Sequence, residues 1–210
     1  MAAPINPTRM ELTRLKRRLA TAVRGHKLLK DKRDEMVRRF MLLIRRNMEL
    51  RSQVERALGA ATGRFALAKA QMGAQTVEEA LLYPAREALF DVSTQNIMSV
   101  EVPVIGYRGD PQAAVDLPYG FAFTAAELDG AVADLAAALP LLLELASVEK
   151  TCNLLADEIE KTRRRVNALE YVMIPDMRQN VRYITMKLEE NERGNLIRLM
   201  KMKQLMEKKT

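Results

Sequence analysis

The chain of 210 residues has no tryptophan, one histidine and one cysteine, and its aromatics amount to 5%. A single cysteine, Cys152, excludes an intrachain disulfide, and nothing in the sequence points to an oxidising compartment. A single histidine, His26, excludes the clustered imidazoles of most zinc sites. No glycine-rich loop precedes a Lys-Ser/Thr pair, so the phosphate cradle of many nucleotide hydrolases is missing. The N-terminus lacks the charged-then-apolar pattern of a secretory leader. No run reaches the roughly 18 uncharged apolar residues of a membrane span. The longest, 135–146, is shorter and carries Pro140 and Glu144. These absences predict a soluble, cytoplasmic, non-enzymatic chain with no cofactor, no metal and no membrane insertion. Few aromatics also exclude a bulky globular core. Leu, Ala and thirteen Met supply the apolar contacts instead, as helix filler or as an adaptable surface for a partner.

What the chain does have is a seam. Leu12, Leu15, Leu19, Ala22, His26, Leu29, Arg33, Met36, Phe40, Leu43, Asn47, Leu50, Val54, Ala57 and Ala61 follow one another at steps of three and four. Twelve of the fifteen are apolar, and no proline interrupts them. This is the heptad pattern of a coiled coil. Fifty such residues extend about 75 Å as a helix, more than a compact domain of this size needs. His26 on the seam reads as a packed or hydrogen-bonded residue, and Cys152 as a small buried apolar one. Arg33 and Asn47 fix register, or mark where the seam opens to a third partner.

A second seam runs through Leu145, Val148, Cys152, Leu155, Ile159, Thr162, Val166, Leu169 and Met173. It continues through Met177, Val181, Ile184 and Leu188. Consecutive steps of four fall beside Pro175, so the helix is predicted to kink or shift phase there. Pro140 bends the helix or delays its start. Two long helices in one chain pair antiparallel most simply, with a parallel homodimer as the rival. Charge favours the first arrangement. Residues 1–62 carry net +10 and 163–210 carry +6, whereas 63–125 and 126–162 carry −3 and −6. Antiparallel pairing sets the acidic stretch beside Arg45, Arg46, Arg51 and Arg56 and joins two basic ends in one tip.

Thr8/Glu11, Thr76/Glu79 and Thr124/Glu127 have the spacing of capping boxes at helix starts. Between the helices, Gly59, Gly63 and Gly73 loosen the chain, and 77–91 reads as a short helix. Val100, Val102 and Val104 alternate like an edge strand, and Tyr119, Phe121 and Phe123 alternate similarly. A small hairpin with a long connection follows. The expected fold is mainly α: a long antiparallel two-helix coiled coil with a short helix and a small β-hairpin in the middle. The expected segments are 1–62, 63–123 and 124–210.

Arg163, Arg164 and Arg165 form the densest basic run on the second helix. Successive helical residues turn by about 100°, so three arginines cannot share a face. The run is a solvated face with pairs such as Glu160–Arg164, or a collar meeting acidic loops of a partner.

Two stretches carry a resemblance. One is Asn6-Pro7-Thr8-Arg9-Met10-Glu11-Leu12 leading into Gly25-His26-Lys27-Leu28-Leu29-Lys30-Asp31-Lys32-Arg33-Asp34. The other runs from Glu158-Ile159-Glu160-Lys161-Thr162 through Arg163-Arg164-Arg165-Val166-Asn167-Ala168-Leu169-Glu170 to Ile174-Pro175. Together they resemble the D subunits of vacuolar/archaeal-type rotary ATPases, in their bacterial form. The resemblance implies a central-stalk axle, peripheral on the cytoplasmic face of a membrane. Its paired ends enter a hexamer of catalytic A and B subunits, and a small F subunit clasps its side. Its middle segment faces an adaptor on the membrane rotor ring. Under that resemblance, Arg9, Arg14, Lys16, Arg17, Lys201 and Lys203 are the expected hexamer contacts, with Arg163, Arg164 and Arg165 at the sleeve's mouth. The alternative is a basic coiled-coil scaffold on an anionic membrane or nucleic acid. Aromatics for base stacking are missing from its basic ends, so no nucleic-acid partner is expected.

Overall fold

The computed structural model describes residues 6–84, 87–108, 117–120, 122 and 124–207. The elements follow in the order α1 (Arg9–Met72), α2 (Ala74–Ala80), β1 (Phe90–Ile97), β2 (Val100–Tyr107), α3 (Ala126–Asn167), a π turn (Ala168–Met173) and α4 (Ile174–Glu207). The chain divides into two compact units. One joins Met1–Glu35 with Glu160–Thr210, and the other is Met36–Ile159.

In the first unit the helices run antiparallel. Arg9 meets Glu192 at 2.5 Å, and His26 meets Glu170 at 3.2 Å, so partner numbers fall as α1 advances. Leu15 of α1 is buried, as are Thr162, Val166, Ile174 and Ile184 on the other side. The second unit repeats the arrangement. Arg46 meets Glu144 at 2.7 Å and Arg64 meets Asp134 at 3.3 Å. Here α1 buries Met36, Leu50, Val54 and Ala61, while α3 buries Leu128, Ala131, Ala138, Cys152 and Leu155. All fifteen residues of the first seam are buried or half-buried, and the seam extends through Phe65, Ala68 and Met72. Gly59 and Gly63 do not loosen the helix; both lie inside α1. It ends at Gly73, whose φ of 87° is open to glycine and strained for other residues.

Of the three expected caps, one forms. The Glu11 N–H donates to Thr8 Oγ1 at 3.2 Å at the start of α1. Thr76 lies within α2, whose cap position is Gly73. The Thr124 hydroxyl donates to the Gly120 carbonyl, and α3 begins at Ala126. The short helix is Ala74–Ala80 rather than 77–91. Pro84 disfavours helical backbone at the residue before it, and by Phe90 the chain is in a strand. Pro140 does not delay α3, which passes through it. The proline lacks the N–H that would reach Ala136, but Ala136 is exposed and water can serve its carbonyl.

Val100 and its neighbours do form a strand, but the partner is upstream. β2 pairs antiparallel with β1, from Phe90↔Tyr107 to Ile97↔Val100. Phe121 and Phe123 lie outside the described residues, and Tyr119 is in no strand. The turn between the strands is Met98-Ser99, with φ of 55° and 72°. Positive φ at both positions is what a two-residue type I′ hairpin requires. Met-Ser lacks the Asn-Gly signature, so the sequence does not announce the turn. The Ser99 N–H is satisfied by Asn96 Oδ1 at 2.9 Å. The Ile105 N–H points away from β1 and donates to Ser147 Oγ of α3 at 3.0 Å. Outward and inward groups alternate in an antiparallel pair, so Pro103 also faces outward and its missing N–H costs no ladder bond.

The second unit closes on a core of Ala68, Val77 and Leu128, against which Phe65, Met72, Ala80 and Tyr119 pack. The Tyr119 hydroxyl donates to Asp129 Oδ1 at 2.9 Å. Desolvation, then the bond to Asp129, raises the phenol well above its ordinary value of 10. A raised folded value means a contribution present below pH 10 and lost as pH rises beyond it. Stability is therefore expected to fall above pH 10 more steeply in the parent chain than in Tyr119→Phe, as read by urea unfolding at several pH values. Equal slopes would remove Tyr119 from the account.

A core truncation separates seam from surface. Leu50 is fully buried, so Leu50→Ala is expected to cost roughly 2–5 kcal/mol. The same truncation at exposed Met48 is expected to stay within about 0.5 kcal/mol. Urea unfolding of both variants checks the contrast.

Candidate partner-binding surfaces

Each helix pair buries one seam per helix, so any residue serving a partner lies off the seams. The first surface is at the C-terminal end of α4. Arg9 opens α1 and bonds Glu192. Residues 193–207 of α4 continue past that contact, and 195–207 are all exposed. This segment combines Leu196, Ile197, Leu199, Met200, Met202 and Leu205, each more than half exposed, with Arg198, Lys201 and Lys203. Charge in the sequence marks the lysines but not the apolar residues, which continue the helix after its partner has ended.

The expected basic contacts distribute unevenly. Arg9, Arg14 and Arg17 line one open groove on α1, together with Met10, Thr13 and Arg18. Lys16 is exposed but is not among the residues of that groove. Arg14 leans on Glu11 at 3.7 Å, and Lys203 on Glu207 at 3.7 Å. Lys201 and Lys203 lie on the α4 extension, apart from the groove's lining. Arg163, Arg164 and Arg165 are all exposed on α3, and Arg164 bonds Glu160 one turn earlier. That intrahelical pair is the one expected of a solvated face.

Of the four arginines expected beside the acidic stretch, Arg46 bridges to α3. Its bond to Glu144 raises the guanidinium pKa further. Arg51 pairs within α1 with Glu55, and Arg56 Nε donates to the Ser52 carbonyl. Arg64, outside that group of four, takes the second bridge, to Asp134. Gly130 makes room for it, since a Cβ there would lie 2.8 Å from the Arg64 guanidinium.

By length and composition one continuous helix, Ala126–Glu207, contains a stretch apolar enough to cross a membrane. Asp134 and Glu144 flank or interrupt its apolar run, and both are paired to arginines of α1.

A second surface is a stripe on α1. Val37, Met41 and Met48 are exposed, and Ile44 between them is half-buried. Their steps of four, three and four place them on one side, one residue after the seam positions Met36, Phe40, Leu43 and Asn47. Apolar residues in two adjacent registers are the sequence signal of such a stripe. A third surface is the exposed apolar segment of Leu81, Leu82, Tyr83, Leu89 and Phe90, before and into β1. Among the described residues no three of His, Cys, Asp and Glu come together as metal ligands would.

A family model for the D subunit of ATP synthase matches residues 11–204. The chain belongs to this ATP synthase family. Curated relatives agree along nearly its whole length. The V-type ATP synthase D subunit of Acetivibrio thermocellus is 58% identical, covering 96% of this chain and 91% of the relative. That of Clostridium botulinum is 56% identical, covering 100% and 98%. That of Clostridium novyi is 55% identical, covering 97% and 95%. Within this member of the family, the paired seams are the scaffold on which the three surfaces sit.

If the α1 stripe serves no internal packing, Met41→Glu with Met48→Glu is expected to leave helix content unchanged. Stability is expected to move by no more than about 0.5 kcal/mol per site. Circular dichroism and thermal unfolding check this; a loss of several degrees would return the stripe to the core.

Proposed function

We propose that this chain is a non-catalytic rotor component of a V-type ATP synthase, carrying torque between its catalytic hexamer and its membrane ring. Membership of the D-subunit family and the names of its relatives support the complex. The antiparallel helix pair supports the mechanical role. Twist applied to two helices locked through interdigitating seams meets resistance along the seams, because rotating either helix exposes its apolar face.

The α4 extension carries the reading furthest. A helix with exposed Leu and Met and three basic residues is poorly suited to water and well suited to a sleeve of apolar and acidic loops. In this reading Lys201 and Lys203, with Arg9, Arg14, Lys16 and Arg17, meet the A and B subunits. Arg163, Arg164 and Arg165 meet them at the sleeve's mouth. The stripe at Val37, Met41, Ile44 and Met48 receives the F subunit. The apolar segment at Leu81–Tyr83 and Leu89–Phe90 faces the ring adaptor. Hydrolysis closes one A/B interface after another, and each closure favours the axle orientation with which it makes better contacts. The axle itself stays peripheral, on the cytoplasmic side.

Native mass spectrometry of the chain mixed with A, B and F subunits tests the assignment. One copy per A/B hexamer, with one F, is expected, and the Met41→Glu, Met48→Glu variant is expected to lose F while keeping the hexamer. A free homodimer that ignores all three partners would overturn the reading. Sedimentation of the chain with anionic vesicles, or a salt-sensitive shift of DNA, would then favour the scaffold alternative.

A further inference from the structure

The π turn at Ala168–Met173 interrupts an otherwise continuous helix from Ala126 to Glu207. Its closing bond runs from the Ile174 N–H to the Leu169 carbonyl, five residues back. The consequence is a change of seam occupant. Met173, four residues after Leu169, would hold the seam in an unbroken α-helix, but it is 46% exposed. Ile174, five residues after Leu169, is buried at 7%. Tyr171 and Val172 are also turned outward.

Two windings of this segment fit one sequence. With the π turn, the seam steps through Leu169, Ile174, Met177, Val181, Ile184 and Leu188 at five, three, four, three and four. Without it, the seam steps through Leu169, Met173, Met177 and Val181 at four, four and four. From Met177 onward the two windings use the same seam residues. Met173 and Ile174 differ little in volume and hydrophobicity, so exchange between them leaves no cavity. Pro175 donates no backbone bond in either winding, but in an unbroken α-helix its ring would crowd the Tyr171 carbonyl, which favours the π turn. A π turn holds more residues per turn than an α turn. Replacing it therefore winds the helix further over the same residues.

One contact also favours the observed winding. Glu170 stands inside the π turn and meets His26 Nε2 of α1 at 3.2 Å. That pair ties the turn to the neighbouring helix while Ile174 is seated.

We propose that Ala168–Met173 is a two-register element, in which Met173 and Ile174 compete for one seam position and His26–Glu170 holds the Ile174 register. The purpose rests on the rotor reading: twist on the helix pair is taken up by one turn, at fixed residues, without unzipping the seams. The element itself is a property of the chain alone.

The test uses thiol reactivity of the isolated full-length chain. Native Cys152 is a quiet background, because it is buried and its thiol is pushed up by desolvation and by Glu149. Met173→Cys is expected to react like an exposed thiol. Ile174→Cys is expected to react roughly 10- to 1,000-fold more slowly, through a minor register, with little dependence on urea. His26→Ala is expected to speed that reaction several-fold. Deleting Val172 closes the seam to regular steps of four and three, and is expected to abolish it. Modification of Ile174→Cys only by whole-chain unfolding, with the full urea dependence, would overturn the proposal. So would a rate indifferent to both His26→Ala and the deletion. Amide hydrogen exchange of the unsubstituted chain gives the same decision without a substitution. Residues 170–174 are expected to open with a small urea dependence, and opening only with the whole chain would refute two registers. Neither readout involves a partner, so failure of hexamer capture leaves this result intact.

Discussion

Burial of a three-four seam against an antiparallel neighbour is the constraint from which the rest of the molecule follows. Apart from the small cluster of Ala68, Val77 and Leu128 that closes the second unit, each unit has a line of Leu, Met, Val and Ala closed by the helix opposite. Along such a line a helix can bury only about a third of its circumference. The remaining faces must be charged, or must wait for something else to cover them. The sequence does both. Arginines of α1 reach Glu144 and Asp134 across the second unit and Glu192 across the first, while others, such as Arg51, fold onto their own helix. These exposed pairs add little stability singly; their positions match the antiparallel run of the helices.

The surfaces left over form a consistent set. An exposed end of α4, a stripe one residue out of phase with the seam, and an apolar segment leading into β1 lie on different elements. A chain evolved to stand alone would have little use for three such surfaces. Membership of the D-subunit family places the chain in a multi-subunit complex, where exposed apolar surface is expected.

Most of the architecture is legible in the sequence because heptad spacing is a long signal. A fifteen-member seam leaves its buried face little freedom, and all fifteen positions are withdrawn from water to some degree. What escapes is set by short-range or single-residue chemistry. The hairpin is legible as a strand at Val100–Val104 but not as a pair, because Met98-Ser99 adopts positive φ without the residues that advertise it. Capping boxes at Thr76 and Thr124 have the right spacing and the wrong place, since Gly73 and the Thr124–Gly120 bond decide those starts. Beside Pro175 the expected phase shift is present, but a π turn absorbs it and seats Ile174 instead of Met173. Of the nine basic residues expected to meet partners, the structure gathers Arg9, Arg14 and Arg17 in one groove. Charge alone does not distinguish these from Arg164, which turns to Glu160.

The attachment of the hairpin to α3 has a consequence of scale. Ser147 accepts from the Ile105 N–H while its own hydroxyl donates to the Leu143 carbonyl, and Val102 is buried nearby on the same strand. One neutral hydrogen bond is worth about 1 kcal/mol net, little more than thermal energy. The bond is not the whole attachment: Val102 is almost fully buried, and burying such a side chain contributes about 1.5–3 kcal/mol more.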